Sequence, residues 1–160
     1  MSSVSPADLA EHEFLRGLAD RHLAQLARVA SLATAKPGDR IFEEGSRADR
    51  FWLIRTGRIA LDLQVPGPQR LLVETLGPGE VIGLSWWAPA HRWEFGAAAV
   101  QPTTAFELGT GVVIEMCEAD PALGYQFTRR LMTVAVHRLN ATRIRLQDLY
   151  GGSPPPAGGP

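Results

Sequence analysis

Between Lys36 and Gly79 a turn signal recurs about every ten residues or sooner, with one more at Gln101-Pro102, and this punctuation constrains the fold more than any other feature. The signals are Pro37-Gly38-Asp39, Glu43-Glu44-Gly45-Ser46, Thr56-Gly57, Pro66-Gly67-Pro68-Gln69, Gly77-Pro78-Gly79 and Gln101-Pro102. Proline presets φ and glycine accepts a positive φ, so each reverses the chain cheaply. The runs between them are too short for stable helices and rich in β-branched and aromatic residues. Strands are expected at 31–35, 40–42, 50–55, 58–65, 70–76, 80–82, 97–100 and 103–108. The run at 58–65 alternates, with Ile59, Leu61, Leu63 and Val65 on one face and Arg58, Ala60, Asp62 and Gln64 on the other, as in a half-buried strand. About eight short strands with frequent turns predict a β-sandwich, roll or barrel.

Helical patterns flank this region. Residues 7–30 are helical in pattern with a break at Gly17, and Leu23, Leu26, Ala27 and Ala30 share a face. Residues 1–11 are assigned to a flexible N-terminus and 12–150 to one domain. Residues 109–118 read as helical, and Asp120-Pro121 supplies an N-cap and a first-turn proline for a long helix over 120–150. Gly151-Gly152 stops it, and 151–160 is a Pro/Gly tail expected to be disordered. Within the long helix Met132, Ala135, Leu139, Thr142, Leu146 and Leu149 follow a heptad seam suited to a homodimer. Leu123, Phe127, Leu131 and Val134 form a second line that can pack on the β body. Arg129, Arg130, Arg138, Arg143 and Arg145 read as a solvated basic face.

Composition narrows the functional classes. A net charge of −1 gives no general pull towards nucleic acid or an anionic membrane. Cys117 is the single cysteine, so no internal disulfide forms. No apolar run reaches membrane-spanning length, and the N-terminus lacks signal-peptide regions, which predicts a cytoplasmic protein. His12, His22, His91 and His137 show no metal spacing. No nucleotide loop, nucleophile elbow or paired catalytic carboxylates stand out, so an enzyme is not expected. Glu43-Glu44 reads as a solvated turn, and Trp52 as a core residue of its strand.

Helical prologue, strands and long terminal helix together resemble the cyclic-nucleotide-binding domain of the cyclic-AMP receptor and FNR group. Five motifs agree in order: residues 37–45 with its opening turn, strand and turn, 51–59 with its central hairpin, 76–83 with the entry to its phosphate-binding cassette, and 119–121 and 138–142 with its last helices. The resemblance implies a mainly β fold, a β-roll of jelly-roll type with N-terminal helices and a long C-terminal dimerisation helix. It also implies a cassette, within residues 77–97, that grips a cyclic nucleotide or another small anionic ligand.

In the family, backbone amides at the cassette and an Arg hold the phosphate, and a Glu after the cassette Gly holds the ribose. Here Leu84 follows Gly83, and Phe95 stands at the expected Arg position. Apolar groups supply neither contact, which argues against ordinary cyclic AMP or cyclic GMP binding. Candidate ligand-binding residues are Gly83, Leu84, Ser85, Trp86, Arg92, Phe95, Ala97 and Thr142. Arg92 can act as a displaced phosphate ligand, Ser85 can cap a helix turn, and Thr142 matches the helix hydroxyl that meets the purine. Trp86, Trp87 and Trp93 can stack on a flat ligand or fill the pocket themselves. The function expected is a non-enzymatic regulatory ligand-sensing domain. Alternatives are a protein-interaction or adaptor module with a self-filled pocket, or a transcriptional regulator of this group without a DNA-binding domain in this chain.

Overall fold

The computed structural model describes residues 3–87 and 91–152. Two four-stranded antiparallel sheets face each other. One has the order β1 (Ala30–Ala35), β8 (Thr103–Gly109), β3 (Arg50–Thr56) and β6 (Val81–Ile82). The other runs β2 (Arg40–Phe42), β7 (Gly96–Ala99), β4 (Ile59–Gln64) and β5 (Arg70–Leu76). This is the β-roll expected from the punctuation, with strand limits within about two residues of those read from the sequence. Phe51, Leu53, Ile54, Ile59, Leu76 and Phe106 are fully buried, with Phe51 packed against Phe127 of the long C-terminal helix and Phe106 against His12 of the N-terminal segment, so the core continues from the sheets into the helices.

The N-terminal segment departs from expectation. Residues 6–10, assigned to a flexible N-terminus although the helical pattern begins at residue 7, form helix α1 (Pro6–Ala10). Ser5 caps it in a reciprocal box with Asp8, and Leu9 is completely buried. The box satisfies two otherwise orphaned amides and Leu9 anchors the turn, which is why so short a helix stays ordered. A 3-10 turn (Glu13–Leu15) and α2 (Asp20–Ala27) follow. His12 ties this prologue to the roll: its Nδ1 accepts from the Phe14 amide at 3.2 Å, so Nε2 carries the proton and donates to the Ile54 carbonyl at 2.9 Å.

At the C-terminal end, α3 (Thr110–Ala119) turns directly into α4 (Pro121–Gly151). Asp120 caps α4 by accepting from the Leu123 amide and meets His22 of α2 at 3.2 Å. The line 123–134 packs as anticipated, with Leu123, Phe127 and Leu131 buried and Phe127 edge-on to Phe14 and Phe51. The basic face is not uniformly solvated. Arg130 donates to the Arg16 carbonyl, Arg138 to the Val81 carbonyl and Arg145 to the Val73 carbonyl. The tail 153–160 lies outside the described residues.

A second departure concerns β4, whose polar face is covered. Asp62 and Ala60 are each 8% exposed. Arg40 reaches from β2 across β7 and grips Asp62 with both terminal nitrogens, Nη2 lying 3.0 Å from Oδ1, and Arg70 of β5 approaches Asp62 from the other side at 3.4 Å. Arg40 can cross because β7 offers Gly96 directly opposite Asp62, where a Cβ would collide with the guanidinium. Glu43, expected as a solvated turn residue, joins this network by pairing with Arg40 and Arg70, and Glu44 accepts from the Gln64 amide. The binary pattern identified the strand; the solvated face it implied is roofed by partners from two other strands.

Gly57 and Gly96 predict opposite kinds of sensitivity. Gly57 holds φ +89, and a Cβ there would overlap the Pro102 carbonyl and Thr103. Gly57→Ala is expected to cost at least about 3 kcal/mol in urea unfolding, because neither backbone can yield. Gly96→Ala is expected to cost about 1–2 kcal/mol by driving Arg40 and the Asp62 carboxylate apart, and much less once Asp62 is already Ala, where both the collision and the pair are gone. Additive losses in that cycle would refute the arrangement.

The hydrogen bond from Arg40 holds the Asp62 carboxyl below its ordinary range, against an opposing effect of burial. A depressed folded-state pKa means that the stabilisation is full above the unfolded value, about 3.9, and is lost as pH falls through the folded one. The stability gap between the protein and Asp62→Asn should therefore be widest near neutral pH and close below about pH 4. A gap that stays constant down to acid would contradict this.

Candidate functional site

The cassette grows out of β6. Gly83 ends that strand with φ +91, and a Cβ there would press on the Trp93 ring at 3.0 Å and on the Arg50 carbonyl at 3.1 Å. Only glycine meets both demands. A single 3-10 turn (Leu84–Trp87) follows. The chain returns through Arg92 and Trp93, whose backbone clamps onto the turn after β2: Gly45 donates to the Trp93 carbonyl at 2.8 Å and Trp93 to the Ser46 carbonyl at 3.0 Å.

Trp93 is 3% exposed and stacks on Phe42 with centroids 4.1 Å apart. Phe42 in turn stacks near-parallel on Trp52 at 5.6 Å, and the Trp52 indole donates to Glu107 at 2.8 Å. Trp93 is thus a structural filler of the cassette. The expectations for the side chains of Trp86 and Trp87 fall outside what is described.

Beside this stack a cavity of about 310 Å³ opens between the cassette and α4. Its roll side includes Gly83, Leu84, Ser85 and Phe95, and its helix side Arg138, Leu139 and Thr142. Five of the candidate ligand residues, Gly83, Leu84, Ser85, Phe95 and Thr142, are brought together there. Two are not. Ala97 is fully buried in β7, paired with Leu61 of β4 and Phe42 of β2. Arg92 is exposed and donates to the Gly45 carbonyl at 2.7 Å, away from the cavity lining. The bridge between Arg47 and Arg92 fixes it on that rim.

The sequence reading missed Arg138 as a site residue. It lies one turn before Thr142, whose hydroxyl donates to the Arg138 carbonyl at 2.9 Å. The i,i+4 spacing from a candidate hydroxyl was the available signal. Arg138 lines the cavity, donates to the Val81 carbonyl, and keeps its Nε buried without a partner. Burial lowers its affinity for a proton, and the nearby Glu74 and Glu80 only partly offset this. Phe42, Leu61 and Val73 complete the apolar wall, while Glu74 and Glu94 stand at its edge. Glu74 pairs with Arg145 at 3.4 Å, and the Glu94 amide points to the Ser85 hydroxyl at 3.4 Å. The result is a small cavity with apolar walls and few polar groups, a form suited to a small molecule. Among the described residues no cluster of His, Cys, Asp and Glu could hold a metal ion, and no helix is long and apolar enough to cross a membrane.

Comparison with known proteins agrees with this architecture. The family model of the cyclic nucleotide-binding domain matches residues 32–120. A curated relative, the CRP-like cAMP-activated global transcriptional regulator of Mycobacterium tuberculosis, is 24% identical over 142 residues, covering 88% of this chain and 61% of the regulator. The chain therefore spans less than two thirds of that relative's length. Among solved structures, a Geobacter metallireducens protein assigned to cyclic nucleotide binding superposes with TM-score 0.76 at 25% identity, covering 85% of this chain and 98% of that one. A cyclic nucleotide-binding domain from Methylobacillus flagellatus shares the fold with TM-score 0.78 at 19% identity, covering 89% and 83%. With its family model matched from β1 to the cap of α4, more than half its length, this chain belongs to the cyclic nucleotide-binding domain family.

Proposed function

We infer that the chain is a regulatory ligand-sensing domain in which a small molecule entering the cavity between cassette and α4 biases the position of the long helix. One observation carries this reading: the cavity has one wall on the roll and the other on α4, so an occupant touches both. A ligand that fits one arrangement of the two walls better than another shifts their populations by its difference in affinity. The role is binding rather than catalysis. The Thr142 hydroxyl is spent on a carbonyl, and the Ser85 oxygen is approached by an amide.

Leu84 and Phe95 line the cavity where the family resemblance calls for a Glu and an Arg. Recognition would then differ from the family's ordinary way of holding cyclic AMP or cyclic GMP. A fully self-filled adaptor is the weaker reading, because the aromatic stack leaves the 310 Å³ open. The regulatory role named for the curated relative, transcriptional control, would require further sequence such as the remainder of that relative's length.

The seam on α4 supports pairing with a second copy. Met132, Leu139, Leu146 and Leu149 are 61, 51, 48 and 76% exposed, a row of large apolar side chains at coiled-coil spacing with nothing over it in the single chain. Leu139 and Thr142 belong to both the seam and the cavity lining, so assembly and ligand binding bear on the same two residues.

Calorimetric titration with cyclic AMP, cyclic GMP and cyclic dinucleotides is expected to give saturable binding with at least one, and changed hydrogen-exchange protection along 132–149. Heat-silent titrations together with an unaltered helix would defeat the sensing role. Sedimentation is expected to give a dimer for the protein and a monomer for Leu146→Asp; a monomeric wild type at high concentration would remove the pairing.

A further inference from the structure

The two sheets have four outer edges, those of β1, β6, β2 and β5. An edge offers unpaired amides and carbonyls to any extended chain, and folded proteins guard it by brevity, bulges, charge or cover. Three of the four are guarded. β6 has two residues, and Arg138 takes its Val81 carbonyl. β2 has three residues and a break in its register with β7. β5 shifts register against β4, carries Arg70 and Glu74, and has its Val73 carbonyl taken by Arg145. β1 has none of these guards. Its six residues, Ala30-Ser31-Leu32-Ala33-Thr34-Ala35, include no charge and no proline. Its register with β8 is unbroken, and among the described residues no hydrogen bond reaches its other side.

The surroundings of that edge select what fits it. Directly paired residues share a face, so Ser31, Ala33 and Ala35 lie on the same face as Glu107 and Trp52. On that face a cleft of about 560 Å³ opens between β1 and β2, with Phe42, Trp52 and Trp93 in its wall. The side chains that β1 turns towards it are all small, so a long side chain from an added strand reaches over them. The charge of the cleft is unbalanced. Arg40 spends its charge on Asp62 and Glu43 outside it, which leaves Asp39, Asp49 and Glu107 facing Arg50 alone. Asp39 and Asp49 each use one carboxylate oxygen in a described hydrogen bond and keep the other free of one. On the opposite face of β1, Leu32 is exposed and offers apolar ground.

We propose that β1 is a docking edge for an extended segment of a partner protein in which basic and apolar residues alternate. The partner's backbone continues the sheet beyond β1. Its arginines or lysines enter the cleft towards Asp39, Asp49 and Glu107, and its apolar residues cover Leu32. A second copy of β1 fits less well, because it would lay small neutral residues over the cleft and leave the acids of both copies uncompensated. Among the described residues Phe42 alone lines both this cleft and the cavity beside α4, so docking is separable from ligand sensing.

The test uses nine-residue peptides of alternating Arg and Val, the same with Glu in place of Arg, and the Arg–Val peptide N-methylated at every second amide in either phase. Affinity is read by fluorescence anisotropy, and the edge by hydrogen exchange over residues 30–35. The Arg–Val peptide is expected to protect 30–35 and to bind at least about tenfold more tightly than the Glu–Val peptide. One methylation phase should lose at least about tenfold in affinity and the other should retain it, since a strand pairs through one edge. Ala33→Arg, which puts a cation over the cleft, should abolish binding. The double variant Asp39→Asn, Asp49→Asn should weaken it about three- to tenfold and flatten its salt dependence, a reading that stands even if Ala33→Arg folds poorly. Equal binding of both methylated peptides and the parent would mean attraction without strand addition and would overturn the proposal. Equal binding of the Glu–Val peptide would do the same. Protection of 30–35 that rises with protein concentration alone, and vanishes in Ala33→Arg, would replace the partner by a second copy.

Discussion

The structure depends on how little of α4 is fastened. The helix has 31 residues, about 46 Å of rise, yet its buried apolar anchors are Leu123, Phe127 and Leu131, all within its first three turns. The anchoring is strong where it exists. Asp120 caps the helix and meets His22, Phe127 lodges edge-on against Phe14 and Phe51, and Arg130 holds the carbonyl of Arg16. Beyond Leu131 the links to the roll that the hydrogen bonds show are polar: Arg138 to Val81 and Arg145 to Val73 and Glu74. Apolar burial fixes the root of the helix, and exchangeable hydrogen bonds govern the remainder. The roll, its prologue and α3 together form the socket for that root.

The cassette solves a packing problem with aromatic residues. Phe42, Trp52 and Trp93 form a continuous stack at the mouth of the roll, and Gly83 lets the last ring press against backbone. Large rings bury much apolar area with few rotatable bonds, so they give rigidity at small entropic cost. The stack supports the wall of the cavity without occupying it. The Arg40–Asp62 pair does comparable work on the other sheet, spanning β7 at the one position without a side chain. In both places a glycine admits a large group from a neighbouring strand.

The fold was largely legible because turn chemistry is local. Pro37-Gly38, Gly45, Gly57, Gly67 and Gly79 declare chain reversals in the residues themselves, and these glycines hold positive φ in the structure. The cap at Asp120 and the buried line from Leu123 to Leu131 were legible for the same reason. Tertiary cover was not. Nothing near Asp62 in sequence shows that Arg40 and Arg70 close over it, and nothing near Leu9 shows that it reaches the core. The candidate site was legible in part: a contiguous cassette sequence located Gly83, Leu84, Ser85 and Phe95, but Arg92 was assigned by its distance along the chain to a wall it does not join. Arg138 was passed over because a helix rich in arginine looks solvated, and burial of one member depends on the strand it crosses.

Consider the geometry of a rod held at one end. From Leu131 to Tyr150 α4 rises about 28 Å, so a tilt of about 10° at the root carries the far end sideways by about 5 Å, close to one helical turn. Arg138 sits two turns above the root, where the same tilt moves the backbone by less than about 2 Å. A displacement of less than about 2 Å at Arg138 thus corresponds to one of about 5 Å, near the pitch of the helix, at Leu149 and Tyr150.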